Sequence, residues 1–244
     1  MTRRRPSKFL TAFILAGGLG TRLRPILGTL PKALAPVAGK PFLTYQLGWL
    51  KRYGIRRIVL CTGYQHQLIE DRLGDGSDLG LQILYSVEGD PMGTAGALRK
   101  ARGEITGTFL VLNGDTYLDV DLETLLIRHG ASGLVATLAL MRVDLAERYG
   151  AVALDAQDRI LRFGEKQQTG PGLVNAGLYI CEPHMLDYFP EGDPLSLEVD
   201  VFPTLASRGL LQGHVVDGYI RDIGTPESYA QFVEDVEQNR LSKE

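Results

Sequence analysis

The residues able to handle phosphate gather in a few short runs. The first is Leu15-Ala16-Gly17-Gly18-Leu19-Gly20-Thr21-Arg22. Its glycines let backbone N–H groups come close to a phosphate and permit positive φ, and Arg22 adds a planar guanidinium fork that matches phosphate oxygens. Two better-known loops are excluded. The dinucleotide fingerprint fails because Leu23 stands where its third glycine belongs, and the P-loop fails because no Gly-Lys-Ser/Thr follows. Lys32 follows Pro31 and is a second cation, or else a solvated surface lysine. Asp115, in Asn113-Gly114-Asp115, reads on its own as part of a strand-end turn. Asp222 in turn reads as a carboxylate near the start of a helix. Glu165-Lys166 would be an ordinary exposed ion pair. No Ser-His-Asp or Cys-His set stands out, and His66, His129, His184 and His214 lie outside all of these runs.

Strands and helices must place these runs. Thr11–Ala16, Arg57–Thr62, Leu81–Val87 and Thr108–Leu112 read as short buried strands. Between them, helices are expected over Pro41–Tyr53, with Leu43, Leu47 and Leu50 on one face, and over Tyr64–Leu73 and Thr94–Ala101. That alternation predicts a Rossmann-like, mixed but mainly parallel sheet with helices on both faces. Beyond Asp121 the spacing tightens, with strands at Leu134–Val143, Ala151–Leu154, Ile160–Phe163 and Gly177–Cys181 and a helix at Val199–Arg208. Thr225 and Pro226 form an N-cap and first position for a last helix with a Tyr229, Phe232, Val233, Val236 stripe. Residues 1–8 read as a basic tail and 9–240 as one domain, with a nucleotide-binding half over 9–120 and a second half over 121–240. Arg3-Arg4-Arg5 before the apolar run Phe9–Ala16 resembles a secretory signal, but the run is short and reads better as the first strand.

Composition narrows the class. Of 244 residues, 44% are hydrophobic and 23% charged, the balance of a globular enzyme with a full core. A net charge of −3 argues against a general nucleic-acid surface. No run approaches the ~20 apolar residues of a membrane span. Cys61 and Cys181 lie in apolar runs and read as buried thiols. A cytoplasmic location is expected, and the oligomeric state is left open, a homodimer included.

The full run GGLGTRLRP followed by Pro31-Lys32 resembles the signature of the sugar-1-phosphate nucleotidyltransferases, G-G-x-G-T-R-L-x-P and then P-K. The likeness extends from Phe13 to about Phe232. Through LPKALAPVAGKPFL, GLVNAGLYI and LSLEVD it is greatest to the short guanylyltransferases acting on D-glycero-D-manno-heptose 1-phosphate. The resemblance implies the nucleotide-diphospho-sugar transferase fold and condensation of an NTP with a sugar 1-phosphate, releasing pyrophosphate. It implies that Leu15, Ala16, Gly17, Gly18, Gly20 and Thr21 wrap the triphosphate, with Arg22 and Lys32 holding the departing pyrophosphate. It makes Asp115 and Asp222 ligands of Mg²⁺, which takes hard oxygen donors and shares its shell with phosphate and water. Gly93, in the PMGTAG segment, is expected to meet the nucleoside, and Thr94 to cap a helix. Asn113, Gly150, Glu165, Lys166 and Asn175 are expected around the sugar phosphate, with Lys166 on the phosphate itself. A phosphate monoester is already an anionic nucleophile, so no general base is needed.

Glu88 lies near the position expected to read the base. A carboxylate offers two acceptors to the adjacent N1–H and N2–H₂ donors of guanine, which favours GTP over UTP or dTTP. The rival readings are glucose-1-phosphate thymidylyl- or uridylyltransferase, mannose-1-phosphate guanylyltransferase, a nucleotide-sensing regulatory subunit, and a glycosyltransferase using Asp119-Val120-Asp121 as an Asp-x-Asp motif. Asp119 and Asp121 themselves are expected to be a strand-edge residue and a helix cap.

Overall fold

The computed structural model describes residues 10–144, 151–163 and 170–241. In chain order the first elements are β1 (Thr11–Ala16), α1 (Arg24–Leu27), β2 (Pro36–Val37), β3 (Lys40–Pro41), α2 (Phe42–Arg52), β4 (Arg57–Thr62), α3 (His66–Leu73) and β5 (Gln82–Val87). There follow α4 (Gly93–Lys100), β6 (Phe109–Asn113), β7 (Thr116–Val120), α5 (Leu122–Ser132), β8 (Ala136–Val143), β9 (Val152–Leu154) and β10 (Ile160–Phe163). The last are β11 (Gly172–Cys181), α6 (Phe202–Ser207), β12 (Leu211–Val215), β13 (Gly218–Asp222) and α7 (Pro226–Glu237). The strands are those of a mixed, mainly parallel sheet, as the alternation predicts. The chain divides into two compact units, neither of them a single run of sequence.

The first unit holds residues up to Pro91, Leu112–Val120 and the chain from Gly218 onward. Its parallel strands lie in the order β1-β4-β5, in register from Thr11↔Arg57 to Ala16↔Thr62 and from Arg57↔Gln82 to Thr62↔Val87. Phe13, Ile14, Val59 and Leu60 are fully buried or nearly so, as expected of strands covered on both faces. Helix α2 buries Leu43, Leu47 and Leu50, the expected stripe, together with Trp49. Strand β7 is buried except at Asp119, its partner β13 is half-exposed, and neither stands out in the sequence. They pair antiparallel, with Thr116 opposite Asp222. Helix α7 starts as read: Thr225 accepts the Ser228 N–H and Pro226 takes the first turn. Its Phe232 is fully buried in an aromatic cluster with Phe42, Tyr45 and Tyr117.

The second unit holds Met92–Val111 and Asp121–Asp217, with strand order β12-β8-β11-β6. Strand β12 runs parallel to β8, while β11 runs antiparallel to it. Asp121 caps α5, accepting the Thr124 N–H at 3.1 Å, as its position predicts. The helix expected over Val199–Arg208 differs. A π turn over Leu197–Val201 precedes α6, and Pro203, which lacks an N–H, sits in the first turn of α6. Thr94, expected to cap α4, instead lies inside it and does not cap it. The Leu195 carbonyl accepts from Ala95 N–H at 2.9 Å and does the work of a cap there. Cys61 and Cys181 are buried free thiols.

Candidate active site

In the first unit the site starts where the parallel strands end. Beyond Ala16, Thr62 and Val87 stand Gly17, Gly63 and Glu88, and their backbones crowd. A Cβ on Gly63 would lie 3.1 Å from the Gly17 carbonyl oxygen, and one on Gly17 would lie 2.9 Å from Glu88 Oε1. Glu88 therefore lies against the glycine turn, with its N–H tied to the Thr62 carbonyl at 2.7 Å. Leu15 and Ala16 are half-buried, whereas Gly18, Thr21 and Arg22 are exposed. Gly20 has φ +59°, and a Cβ there would touch the Lys32 stem at 3.6 Å. Leu23, where a third glycine would stand in a dinucleotide motif, is fully buried.

The Asn113–Asp115 turn is fixed by a similarly close approach. A Cβ on Gly114 would lie 2.6 Å from the Leu15 carbonyl oxygen, to which Gly114 donates its own N–H at 3.0 Å. Gln46, buried in α2, donates its amide to the carbonyls of Asn113 and Thr116 at 2.8 and 2.6 Å, bracketing the turn. In the sequence Gln46 carries no signal beyond an amide among the buried positions of α2.

The structure brings the two aspartates together. Ile223 donates its N–H to the Asp115 carbonyl at 2.8 Å, so the segments carrying Asp115 and Asp222 are hydrogen-bonded neighbours. Asp115 Oδ2 accepts from Lys32 Nζ at 2.8 Å, an ion pair with 17% and 33% of the side chains exposed. Asp222 Oδ1 accepts the Gly224 N–H at 2.9 Å, and its carbonyl accepts the Ser228 hydroxyl. A Cβ on Gly224 would lie 2.8 Å from Asp222 Oδ1 and 3.0 Å from Arg22 Nη2, so Arg22 and Asp222 close on one point. Each carboxylate thus has a cation beside it.

This donor set fits a hard divalent ion. Asp115 already holds a cation, and both aspartates offer carboxylate oxygens. Among the described residues no group of three or more His, Cys, Asp or Glu could hold a metal by itself. A cation here would draw its remaining ligands from phosphate and water, the usual habit of Mg²⁺. The Asp-x-Asp alternative loses its donors: Asp119 pairs with Arg52 at 2.9 Å, and Asp121 is spent on its cap. Cys61 is no nucleophile, since burial first and Glu88 second push its thiol up to about 12. A cavity of about 1040 Å³ beside Tyr45, Trp49 and Asp75 is lined by none of the candidate residues.

The second unit carries Gly93, Thr94 and Asn175. Gly93 has φ +74°, and a Cβ there would fall 2.3 Å from the Leu195 carbonyl oxygen, so the chain itself demands glycine at this position. Thr94 accepts the Leu197 N–H at 2.7 Å and donates to Glu198 at 3.0 Å. Asn175 donates to the Tyr179 hydroxyl at 2.8 Å and accepts the Gly177 N–H at 2.9 Å. Tyr179 and Glu198 were not singled out in the sequence. Gly150, Glu165 and Lys166 lie outside the described residues.

A profile of the family described as "Nucleotidyl transferase" matches residues 11–239. The chain is 35% identical to the D-glycero-alpha-D-manno-heptose 1-phosphate guanylyltransferase of Campylobacter jejuni, over 92% of this chain and 99% of that protein. It is 40% identical to the mannose-1-phosphate guanylyltransferase of Mycobacterium tuberculosis, over 90% of this chain but only 62% of that longer protein. Among solved structures, HddC from Yersinia pseudotuberculosis complexed with GMP-PN superposes with a TM-score of 0.81 at 31% identity, covering 93% of this chain and 100% of that one. With its glycine turn, paired aspartates and flanking cations in place, and with the family profile spanning nearly its whole length, this chain belongs to the nucleotidyl transferase family.

Proposed function

We infer that this chain condenses GTP with a sugar 1-phosphate, D-glycero-α-D-manno-heptose 1-phosphate in first place, giving a GDP-sugar and pyrophosphate. The observation that carries this reading is the pairing of the Asp115 and Asp222 segments, with Lys32 on one carboxylate and Arg22 beside the other. In this reading the triphosphate lies along Leu15–Thr21. An oxygen of the sugar phosphate attacks the α-phosphorus and forms the new P–O bond. The bond from the α-phosphorus to the bridging oxygen breaks, and pyrophosphate carries that electron pair away. Arg22 and Lys32 stabilise the charge on pyrophosphate as it develops. Lys32 leaves Asp115 for the phosphates, and Mg²⁺ held by Asp115 and Asp222 would neutralise and orient the α-phosphate. Glu88 accepts from guanine N1–H and N2–H₂. Gly93 and Thr94 serve the nucleoside, while Asn113, Gly150, Glu165, Lys166 and Asn175 serve the sugar phosphate. We place the reaction in the cytoplasm, where thiols such as Cys61 and Cys181 stay reduced.

A second reading, mannose 1-phosphate as the acceptor, is favoured by the 40% identity to the mycobacterial enzyme. Pyrophosphate release measured over GTP, ATP, UTP and dTTP against heptose, mannose and glucose 1-phosphates separates these readings. Fastest turnover is expected for GTP with the manno-configured heptose. Preference for UTP or dTTP with glucose 1-phosphate would refute the assignment.

A further inference from the structure

We propose that Glu198 is a positioning residue for the sugar: acting through Tyr179, it sets which way the Asn175 amide faces. The proposal rests on the reading of Asn175 as a sugar-binding residue, and all of the residues it uses lie in the second unit.

The backbone supplies the first observation. Along β11 the partner register runs from Asn175↔Leu140 to Tyr179↔Leu138, so four steps on one strand face two on the other. A regular strand would hold residues four apart at roughly 13 Å. Here a bulge with Gly177 at φ +77° folds them together, and Asn175 Nδ2 reaches the Tyr179 hydroxyl at 2.8 Å. Bulges of this kind re-aim side chains.

Polarity supplies the second. Glu198 Oε1 accepts from the Tyr179 hydroxyl at 3.2 Å, while Oε2 accepts from Thr94 at 3.0 Å and Ser196 at 2.9 Å. An ionised carboxylate can only accept, so the single Tyr179 proton is committed to Glu198. The Tyr179 oxygen must then accept, which turns the Asn175 NH₂ toward it and leaves the Asn175 carbonyl to take the Gly177 N–H at 2.9 Å. The amide has one further N–H and one further carbonyl lone pair. Both therefore have fixed directions, as recognition of sugar hydroxyls requires.

Rigidity supplies the third. Tyr179 is fully buried and meets the Phe202 ring edge-on at 4.9 Å. Glu198 sits in the π turn over Leu197–Val201, a conformation that recurs at functional sites. Thr94 links the same carboxylate to the start of α4, next to Gly93.

The test uses steady-state pyrophosphate release by the full chain, with GTP and D-glycero-α-D-manno-heptose 1-phosphate, and thermal melts as a control on folding. Tyr179→Phe removes one oxygen, and Glu198→Gln keeps shape but adds donors that reverse the chain of bonds. Each is expected to raise KM for the sugar phosphate about tenfold, the scale of one lost directional hydrogen bond, while KM for GTP under Tyr179→Phe stays within about twofold. Because Tyr179 acts through Asn175, Asn175→Ala combined with Tyr179→Phe should be no worse than Asn175→Ala alone. If Asn175→Ala raises the sugar KM but Tyr179→Phe leaves it unchanged, the relay is wrong and the sugar-site reading survives. If Asn175→Ala itself leaves that KM unchanged, both are wrong. Should Glu198→Gln fail to fold, the Tyr179 single and double variants still decide.

Discussion

Asp115 and Glu198 are both half-exposed carboxylates, one in each compact unit, and they are held in different ways. Asp115 faces the Lys32 ammonium in a partly exposed ion pair and accepts a long bond, 3.3 Å, from the hydroxyl of its neighbour Thr116. Glu198 receives the hydroxyls of Thr94, Ser196 and Tyr179, the last fully buried. A partly exposed ion pair is worth little, so its members can change partners, as the proposed function requires of them when phosphate and a cation bind. A carboxylate surrounded by committed hydroxyls keeps its geometry and passes a direction along the network. On the proposed reading the first unit holds exchangeable charge and the second holds fixed orientation.

The largest expected effect strikes the exchangeable side. Asp115→Asn should lower kcat by about 10²–10³-fold, the usual consequence of losing one charge-stabilising group, with the melting temperature nearly unchanged. Near-normal turnover would remove Asp115 from the chemistry. Next comes a backbone effect common to both units. Gly93→Ala meets a left-handed φ and the Leu195 carbonyl, and Gly114→Ala meets the Leu15 carbonyl. Each should cost about 1–3 kcal/mol, read as a fall in melting temperature. Stable alanine variants would show that these contacts relax cheaply.

That pair of glycines also marks what could be read in advance. The positive φ of Gly20, the Asp121 cap and the Thr225-Pro226 start of α7 were legible because each is set locally, within a few residues of chain. Gly114 was legible as a turn residue, but not as the contact that seats Asp115 on β1. Gln46 and the Glu198–Tyr179–Asn175 chain were illegible because each joins residues that only the tertiary fold or a bulge brings together. β13 escaped because a half-exposed Gly-Tyr-Ile-Arg-Asp run carries no clear alternation. Thr94 misled because a carbonyl from a distant segment took the place of a local cap.

A smaller effect concerns the base. Glu88→Gln should shift the ratio of GTP to UTP turnover about tenfold toward UTP, by exchanging an acceptor for a donor. An unchanged ratio would move base reading to another residue. The smallest lies away from the site, at buried Asp235. Burial raises its pKa, but hydrogen bonds from Tyr219, Arg240 and Gln231 and the charge of Arg221 outweigh that and leave it lowered. A lowered folded-state pKa stabilises above the unfolded value of about 3.9 and is lost as pH falls through the folded one. Asp235→Asn should therefore destabilise the protein at pH 7 and flatten the loss of melting temperature below about pH 4. Parallel acid profiles for the two proteins would contradict this.

The most direct test of the central claim is a double-mutant cycle on pyrophosphate release from GTP and D-glycero-α-D-manno-heptose 1-phosphate, using Asp115→Asn, Asp222→Asn and the pair. If both carboxylates serve one cation, the double variant should lose no more activity than the worse single one. Multiplicative losses, or near-normal turnover in either single variant, would contradict a shared site.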